Sequence, residues 1–379
     1  MKDKPILLFQ RIVPSYRVAM FRYLYQELGI VVCHSKPRKN GKINAAHEQM
    51  DYPNEMISRC YYQKDETAVV QNVLKPLFKD KPKVIIAPFS VKYITTWLLF
   101  VLKPIFGYKL ILWSHGIKSK EVDKPFQTMR GKISRWAYQK ADAIILYSDS
   151  IKKIFDLHIA TPAFVAKNTL NTNGFKHFYN NLKVQGVEKI KKDLSFHHKY
   201  NLIFVGRLLP SKRLDILIEA FNILSKKYQV ALHIIGDGEE MPYVLGKSKI
   251  NNDIKIHGSI YDDSITAKYL FASDLMIMPG YVGLSIIHAF AFGLPMVTSR
   301  TTAAGPFHAP EIEYLIEGEN GVLCNMTKES YAETIGELLE DKKKLNGMQK
   351  NALHTAYNDA SVENFVNGFH EAVQFVSKK

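Results

Sequence analysis

The chain has 379 residues, 46% hydrophobic and 23% charged. That composition excludes a disordered or fibrous chain, and the length suits two domains. The net charge of +15 is uneven: residues 1–180 hold 29 Lys and Arg against 13 Asp and Glu, and residues 181–379 hold 22 against 23. An excess confined to one half points to an anionic partner for that half, with a solvated lysine-rich surface as the plain alternative.

In chain order, Ile6-Leu-Leu-Phe9 is too short for a signal peptide and reads as a first strand. Tyr16–Leu28 puts Val18, Phe21, Leu24 and Leu28 on one helical face. Ile30–His34 is a second strand, and the basic stretch 36–48 reads as a loop. Val84–Ala87, Leu110–Trp113 and Ala143–Tyr147 are short apolar runs that fit strands covered on both faces. Tyr93–Leu102 reads as a buried helix stopped by Lys103-Pro104, with a monotopic membrane contact as the alternative. Gly131–Lys140 is a further helix. No apolar run reaches the 18 residues of a membrane span.

Residues 170–200 change character. Asn171-Thr-Asn-Gly174 is turn chemistry and Val187–His197 a charged helix, so a linker is expected over 176–200. The alternation then resumes: strands at 202–205, 230–235, 254–257, 274–278 and 294–298, and helices at 212–227, 239–247, 264–272 and 284–292. The tail is helical over 329–345 and 362–379. The expected division is an N-terminal domain over 1–175, the linker, a C-terminal domain over 201–360 and a final helix over 361–379. Cys33, Cys60 and Cys324 fit neither a disulfide framework nor a zinc site, so a reducing, cytoplasmic location is expected.

Chemistry concentrates where apolar runs end in glycines. Val205-Gly206 ends a strand, and Gly206 lets backbone approach a ligand. Arg207 offers a planar fork and Lys212 a point charge, which together can neutralise a diphosphate. Gly283 stands where a helix begins, so free N–H groups and the helix dipole favour a second phosphate there. His288, on that helix, can bond a ribose hydroxyl. No P-loop, Gly-x-Ser-x-Gly elbow, Asp-x-Asp or Cys/His cluster occurs.

Residues 201–325, with 110–175 more loosely, resemble the retaining GT-B glycosyltransferases of the group 1, or family 4, type. The resemblance rests on Val205-Gly-Arg207, Lys212, Gly236-Asp-Gly238, Gly280-Tyr-Val-Gly-Leu-Ser285, His288 and Glu317-Gly-Glu-Asn-Gly321. It implies two facing Rossmann-like doubly wound domains with a C-terminal helix crossing back. It implies transfer of a sugar from a nucleoside diphosphate, with Arg207, Lys212 and His115 catalytic. Donor binding is implied for Gly206, Gly236, Asp237, Gly238, His257, Gly258, Gly280, Tyr281, Gly283, Leu284, Ser285, His288 and Glu311. Acceptor binding is implied for Arg11, Ser15, Tyr16 and Arg17, in a first loop without the family's glycines, and Asn168 matches an asparagine at the domain junction. The family carries glutamates where this chain has Gly280 and His288; Glu311, or His308 beside it, is expected to take over sugar recognition.

The expected partners are a nucleotide sugar, a glycan or lipid-linked acceptor of surface polysaccharide assembly and, through residues 1–180, an anionic inner-membrane surface. No metal, cofactor or nucleic acid is expected. A sugar-nucleotide epimerase or phosphorylase on the same fold, or a non-catalytic nucleotide-sugar-binding homologue, is the alternative.

Overall fold

The computed structural model describes residues 5–36, 50–61, 69–117, 121–122 and 124–378. The basic loop expected at 36–48 therefore lies outside the described residues, except for Lys36. The chain divides into two compact units, Met1–Asn171 with Val362–Lys379, and Thr172–Ser361.

Unit 1 is built on β1 (Ile6–Gln10), β2 (Ile30–His34), β3 (Asn54–Met56), β6 (Val84–Pro88), β7 (Lys109–Ser114), β8 (Ala143–Leu146) and β9 (Ala163–Val165). They form one parallel sheet in the order β3-β2-β1-β6-β7-β8-β9, with a separate antiparallel hairpin of β4 (Arg59–Tyr61) and β5 (Val69–Gln71). Successive side chains of a strand face opposite sides. Leu8, Val32, Ile86, Ile111 and Ile145 enter one core, and Leu7, Phe9, Ile85, Leu110 and Ile144 the other. The C-terminal helix Val362–Ser377 completes the first core, with Phe365 and Phe369 packed edge-on to Trp113.

Unit 2 repeats the plan with β10 (Tyr200–Val205), β11 (Val230–Ile235), β12 (Ile254–Gly258), β13 (Leu275–Met278), β14 (Met296–Ser299) and β15 (Gly321–Cys324). All are parallel, in the order β12-β11-β10-β13-β14-β15. In each sheet the chain winds one way and then reverses, between β1 and β6 and between β10 and β13. Loops at the carboxyl ends of such strands diverge and leave a crevice, where open α/β sheets bind ligands.

Three expectations need correction. Residues 176–200, expected as a linker with a charged helix over 187–197, lie within unit 2; that helix is there as Val187–Asp193, and helix Thr172–Gln185 precedes it. The turn residues Asn173 and Gly174 sit in the first turn of that helix, where they are tolerated. Helix Ile94–Phe106 is not stopped by Pro104, which falls in its last turn, and it ends at the left-handed Gly107. Nor is that helix buried all round. Thr95, Thr96 and Leu99 face the core while Ile94, Leu98, Val101 and Ile105 are exposed.

Candidate functional site

In unit 2 the loop after β10 is clamped from both sides. On one side, Gly206 N–H donates to Ile235 O (3.0 Å), Leu208 N–H to Asp237 O (2.9 Å) and Glu240 N–H to Leu208 O (3.0 Å). The Gly-Asp-Gly turn serves this contact: a Cβ at Gly236 would stand 1.9 Å from Gly206 O, and one at Gly238 2.4 Å from Leu208 O. Asp237 is exposed and its carboxylate accepts from Gly238 N–H (2.7 Å). On the other side, Gly280 N–H donates to Lys212 O (3.1 Å) and Tyr281 N–H to Ser211 O (2.8 Å). A Cβ at Gly280 would meet Ser211 O at 2.0 Å and Lys212 Cα at 2.6 Å. Glycine at 280 is thus a requirement of packing, and no side chain fits there in this backbone arrangement.

The clamp fixes Lys212. It ends the 3-10 turn Pro210–Lys212, and its Nζ donates to Tyr281 O and lies 3.6 Å from Met278 Sδ. Ser285 Oγ donates to the same sulfur at 3.4 Å. Burial first, then the Arg207 charge, lower the Lys212 pKa to about 8. Arg207 is exposed at the mouth of the loop. Helix Ser285–Ala291 begins next to this ammonium, through Gly283 and Leu284, with no side-chain cap. The structure therefore brings Gly206, Arg207, Lys212, Tyr281, Gly283, Leu284 and Ser285 to the carboxyl ends of β10 and β13. Cations and uncapped N–H groups at one edge suit a diphosphate.

His308 supports this loop. Its Nδ1 accepts from Val282 N–H (3.1 Å) and its Nε2 donates to Ser299 O (2.8 Å). Burial and the Lys212 charge keep its pKa below the ordinary value, so the ring is neutral. Glu311 is buried three residues on, in the 3-10 turn Pro310–Tyr314. His288 packs its ring on Phe175 at 4.9 Å, and burial lowers its pKa against the pull of Asp263. His257 turns to the sheet face: its Nε2 pairs with His233 Nδ1 (3.1 Å) and its ring leans on Tyr269, while Gly258 accepts through its carbonyl from Gly236 N–H (2.8 Å).

In unit 1 a cavity of about 420 Å³ opens at the carboxyl ends of β1, β6 and β7. Its lining includes Arg11, Tyr16, Arg17 and His115, while Ser15 is exposed beside it. Arg17 is buried, its guanidinium 4.4 Å from the Trp113 ring centre, and its Nη2 donates to Tyr147 Oη at 3.1 Å. His115 is exposed at its rim, but its ring lies flat on Tyr147 at 4.3 Å. That crowding, and then the Arg17 charge, push its pKa down to about 4, so the imidazole is neutral at pH 7. Asn168 is buried in the same unit. Tyr147, Tyr138 and Gln10 were not singled out by the sequence. The usable signal was position, since Gln10 ends β1 and Tyr147 follows β8 at this same sheet edge. Among the described residues no group of His, Cys, Asp and Glu could hold a metal ion.

Each unit is a parallel-sheet Rossmann-like α/β fold, and the chain matches the fold of GT-B glycosyltransferases. Anabaena HepE, solved with UDP, shares it at a TM-score of 0.72, with 19% identity over 98% of this chain and 99% of that one. Residues 199–341 match the family model described as glycosyl transferases group 1. An uncharacterised glycosyltransferase of Methanocaldococcus jannaschii is 27% identical over 232 residues, 57% of this chain and 55% of its own length. The O-antigen biosynthesis glycosyltransferase WbnH of Escherichia coli is 28% identical over 143 residues, 38% of each chain. The chain thus spans about half, or less, of the length of these two relatives.

Proposed function

We propose that this chain is a retaining glycosyltransferase that moves a sugar from a nucleoside diphosphate to a glycan or lipid-linked acceptor. The observation that carries the reading is Lys212, half-buried and pinned to Tyr281 O beside an uncapped helix start, with Arg207 within electrostatic reach. Among the described residues no carboxylate forms an ion pair with this half-buried ammonium, which leaves it poised for an anion brought by a ligand. HepE, solved with UDP, and WbnH, named for O-antigen synthesis, support a nucleotide donor and a polysaccharide context.

In the proposed step the bond from the anomeric carbon to the diphosphate oxygen breaks and the acceptor oxygen bonds to that carbon on the same face. The acceptor proton passes to the departing phosphate oxygen, so no protein base is required. Arg207, Lys212 and the N–H groups around Gly283 stabilise the charge that grows on the leaving group. Glu311, in the segment that His308 ties to the Gly280 loop, is the carboxylate assigned to sugar recognition. His115 offers one neutral hydrogen bond to a sugar hydroxyl. No step calls for a metal. A thermal-shift panel of UDP, GDP, ADP, dTDP, CMP and their sugar conjugates tests the reading. Ligand at 100 times its Kd adds roughly 2.7 kcal/mol, so one base should respond, and silence across the panel would overturn it.

Unit 1 also supports a peripheral membrane contact. Among the described residues no helix is long and apolar enough to cross a membrane. Val101 and Ile105 are 67% and 72% exposed on one stripe of helix Ile94–Phe106. Met129 and Trp136 are 75% and 51% exposed on a stripe of the adjoining helix Met129–Lys140. Trp97 and Trp136 stack between the two helices at 6.1 Å. The second helix carries Arg130, Lys132, Arg135 and Lys140 and no acid. Apolar stripes beside basic residues match an anionic bilayer surface.

A further inference from the structure

The unit 1 cavity has a polarity of its own. Arg17, Trp113 and Gln10 line it and are 9%, 2% and 8% exposed. Each carries a buried nitrogen with no hydrogen-bond partner: Arg17 Nε, Trp113 Nε1 and Gln10 Nε2. A buried donor left unmet is costly, so three on residues lining one cavity are difficult to explain by folding alone. Among the described residues no carboxylate pairs with Arg17, which rests on Trp113 and Tyr147 instead. Among the described residues the lining includes three arginines, Arg11, Arg17 and Arg130, against a single acid, Glu121. Permanent positive charge and unmet N–H groups call for a ligand rich in acceptor oxygens.

We infer that the acceptor carries an oxyanion, a carboxylate or a phosphate, that seats on Arg17, Trp113 Nε1 and Gln10 Nε2. The inference rests on the acceptor reading of unit 1 and narrows it from any glycan to an acidic or phosphorylated one. The guanidinium fork can meet two oxygens of one group. Tyr147 and the Trp113 ring hold the fork in place before the ligand arrives, which lowers the ordering cost of binding.

The test is calorimetric titration of the full chain with glucuronate, glucose 6-phosphate and glucose. Wild type should bind at least one acidic sugar roughly tenfold or more tighter than glucose, since a tenfold step is about 1.4 kcal/mol; the tighter of the two identifies carboxylate or phosphate. Arg17→Gln should erase the preference. Trp113→Phe keeps an aromatic ring, removes the N–H and should reduce the preference, which serves if the first variant fails to fold. Ligand-free Arg17→Gln should melt no lower than wild type, because an uncompensated buried cation leaves the core; a purely structural arginine would lower the melting temperature. Equal binding of glucose and both acids, or an undiminished preference in Arg17→Gln, overturns the inference. Lys212→Met should leave the acid preference intact. A silent nucleotide panel with that preference present would sink the transfer reading alone, and the converse would sink only this one.

Discussion

Gly280→Ala gives a quantitative test of the clamp around Lys212. The new methyl group would stand 2.0 Å from Ser211 O and 2.6 Å from both Lys212 C and Cα. All three are backbone atoms, so no rotamer change can relieve the contact. Either the two loops part, with loss of the Gly280–Lys212 and Tyr281–Ser211 hydrogen bonds, or the strain stays. Overpacking costs about 1–3 kcal/mol, and the two lost bonds, at about 0.5–1.5 kcal/mol each, cost about the same, so about 1–3 kcal/mol is expected on either course. For a unit of this size each kcal/mol moves the melting temperature by roughly 2–4 °C, which gives a fall of roughly 2–12 °C. Gly283→Ala is the control, since its Cβ would meet nothing nearer than Tyr281 Cε1 at 3.5 Å. Differential scanning calorimetry of both variants reads the difference. A Gly280→Ala melt equal to that of Gly283→Ala would refute the claim that packing imposes glycine at 280.

The Lys212 pKa near 8 lies below its ordinary 10.5, so between those values the unfolded chain holds a proton that the folded chain has lost. Ligand-free stability should therefore rise as pH climbs from about 8 to 10. Nucleoside-diphosphate affinity should fall over the same range as the ammonium discharges; Lys212→Met should flatten both slopes, and unchanged slopes would count against the assignment. His233, stacked on Phe196 and paired with His257, has its pKa pushed down to about 3 by burial first and His257 next. The stability it contributes is present above pH 6.5 and lost as pH falls toward 3, at about 1.4 kcal/mol per pH unit. Urea melts at pH 7 and pH 5 should show a smaller loss for His233→Gln than for wild type, and equal losses would refute the cause. Val101→Asp with Ile105→Asp should abolish sedimentation with phosphatidylglycerol vesicles and leave the melt unchanged; retained sedimentation would remove the membrane surface from the account.

Much of the architecture was legible because parallel strands are apolar on both faces and end in glycine turns. Val84–Ala87, Leu110–Trp113, 230–235 and 254–257 were read on that signal and lie within β6, β7, β11 and β12. Helix Asp149–His158 and strands β3, β9 and β15 were not read, since they are short or carry mixed composition and owe their form to neighbours. At the site, sequence could propose charge but not constraint. Gly280 read as a missing carboxylate, whereas its backbone contact with Ser211 and Lys212 explains the residue. His257 read as a sheet-edge ligand because spacing does not show that it pairs with His233. Arg17 was placed by its loop, but its Trp113 platform comes from a strand nearly a hundred residues away in the chain.

The central claim is that Arg207 and Lys212 hold a diphosphate. Calorimetric titration of the responding nucleoside diphosphate and its monophosphate into wild type, Arg207→Ala and Lys212→Met tests it most directly. One charge-assisted bond is worth about 1.5–3 kcal/mol, so wild type should prefer the diphosphate by roughly ten- to a hundredfold, and each variant should lose most of that preference. Equal affinity for the two nucleotides in wild type, or a full preference kept by both variants, would contradict it.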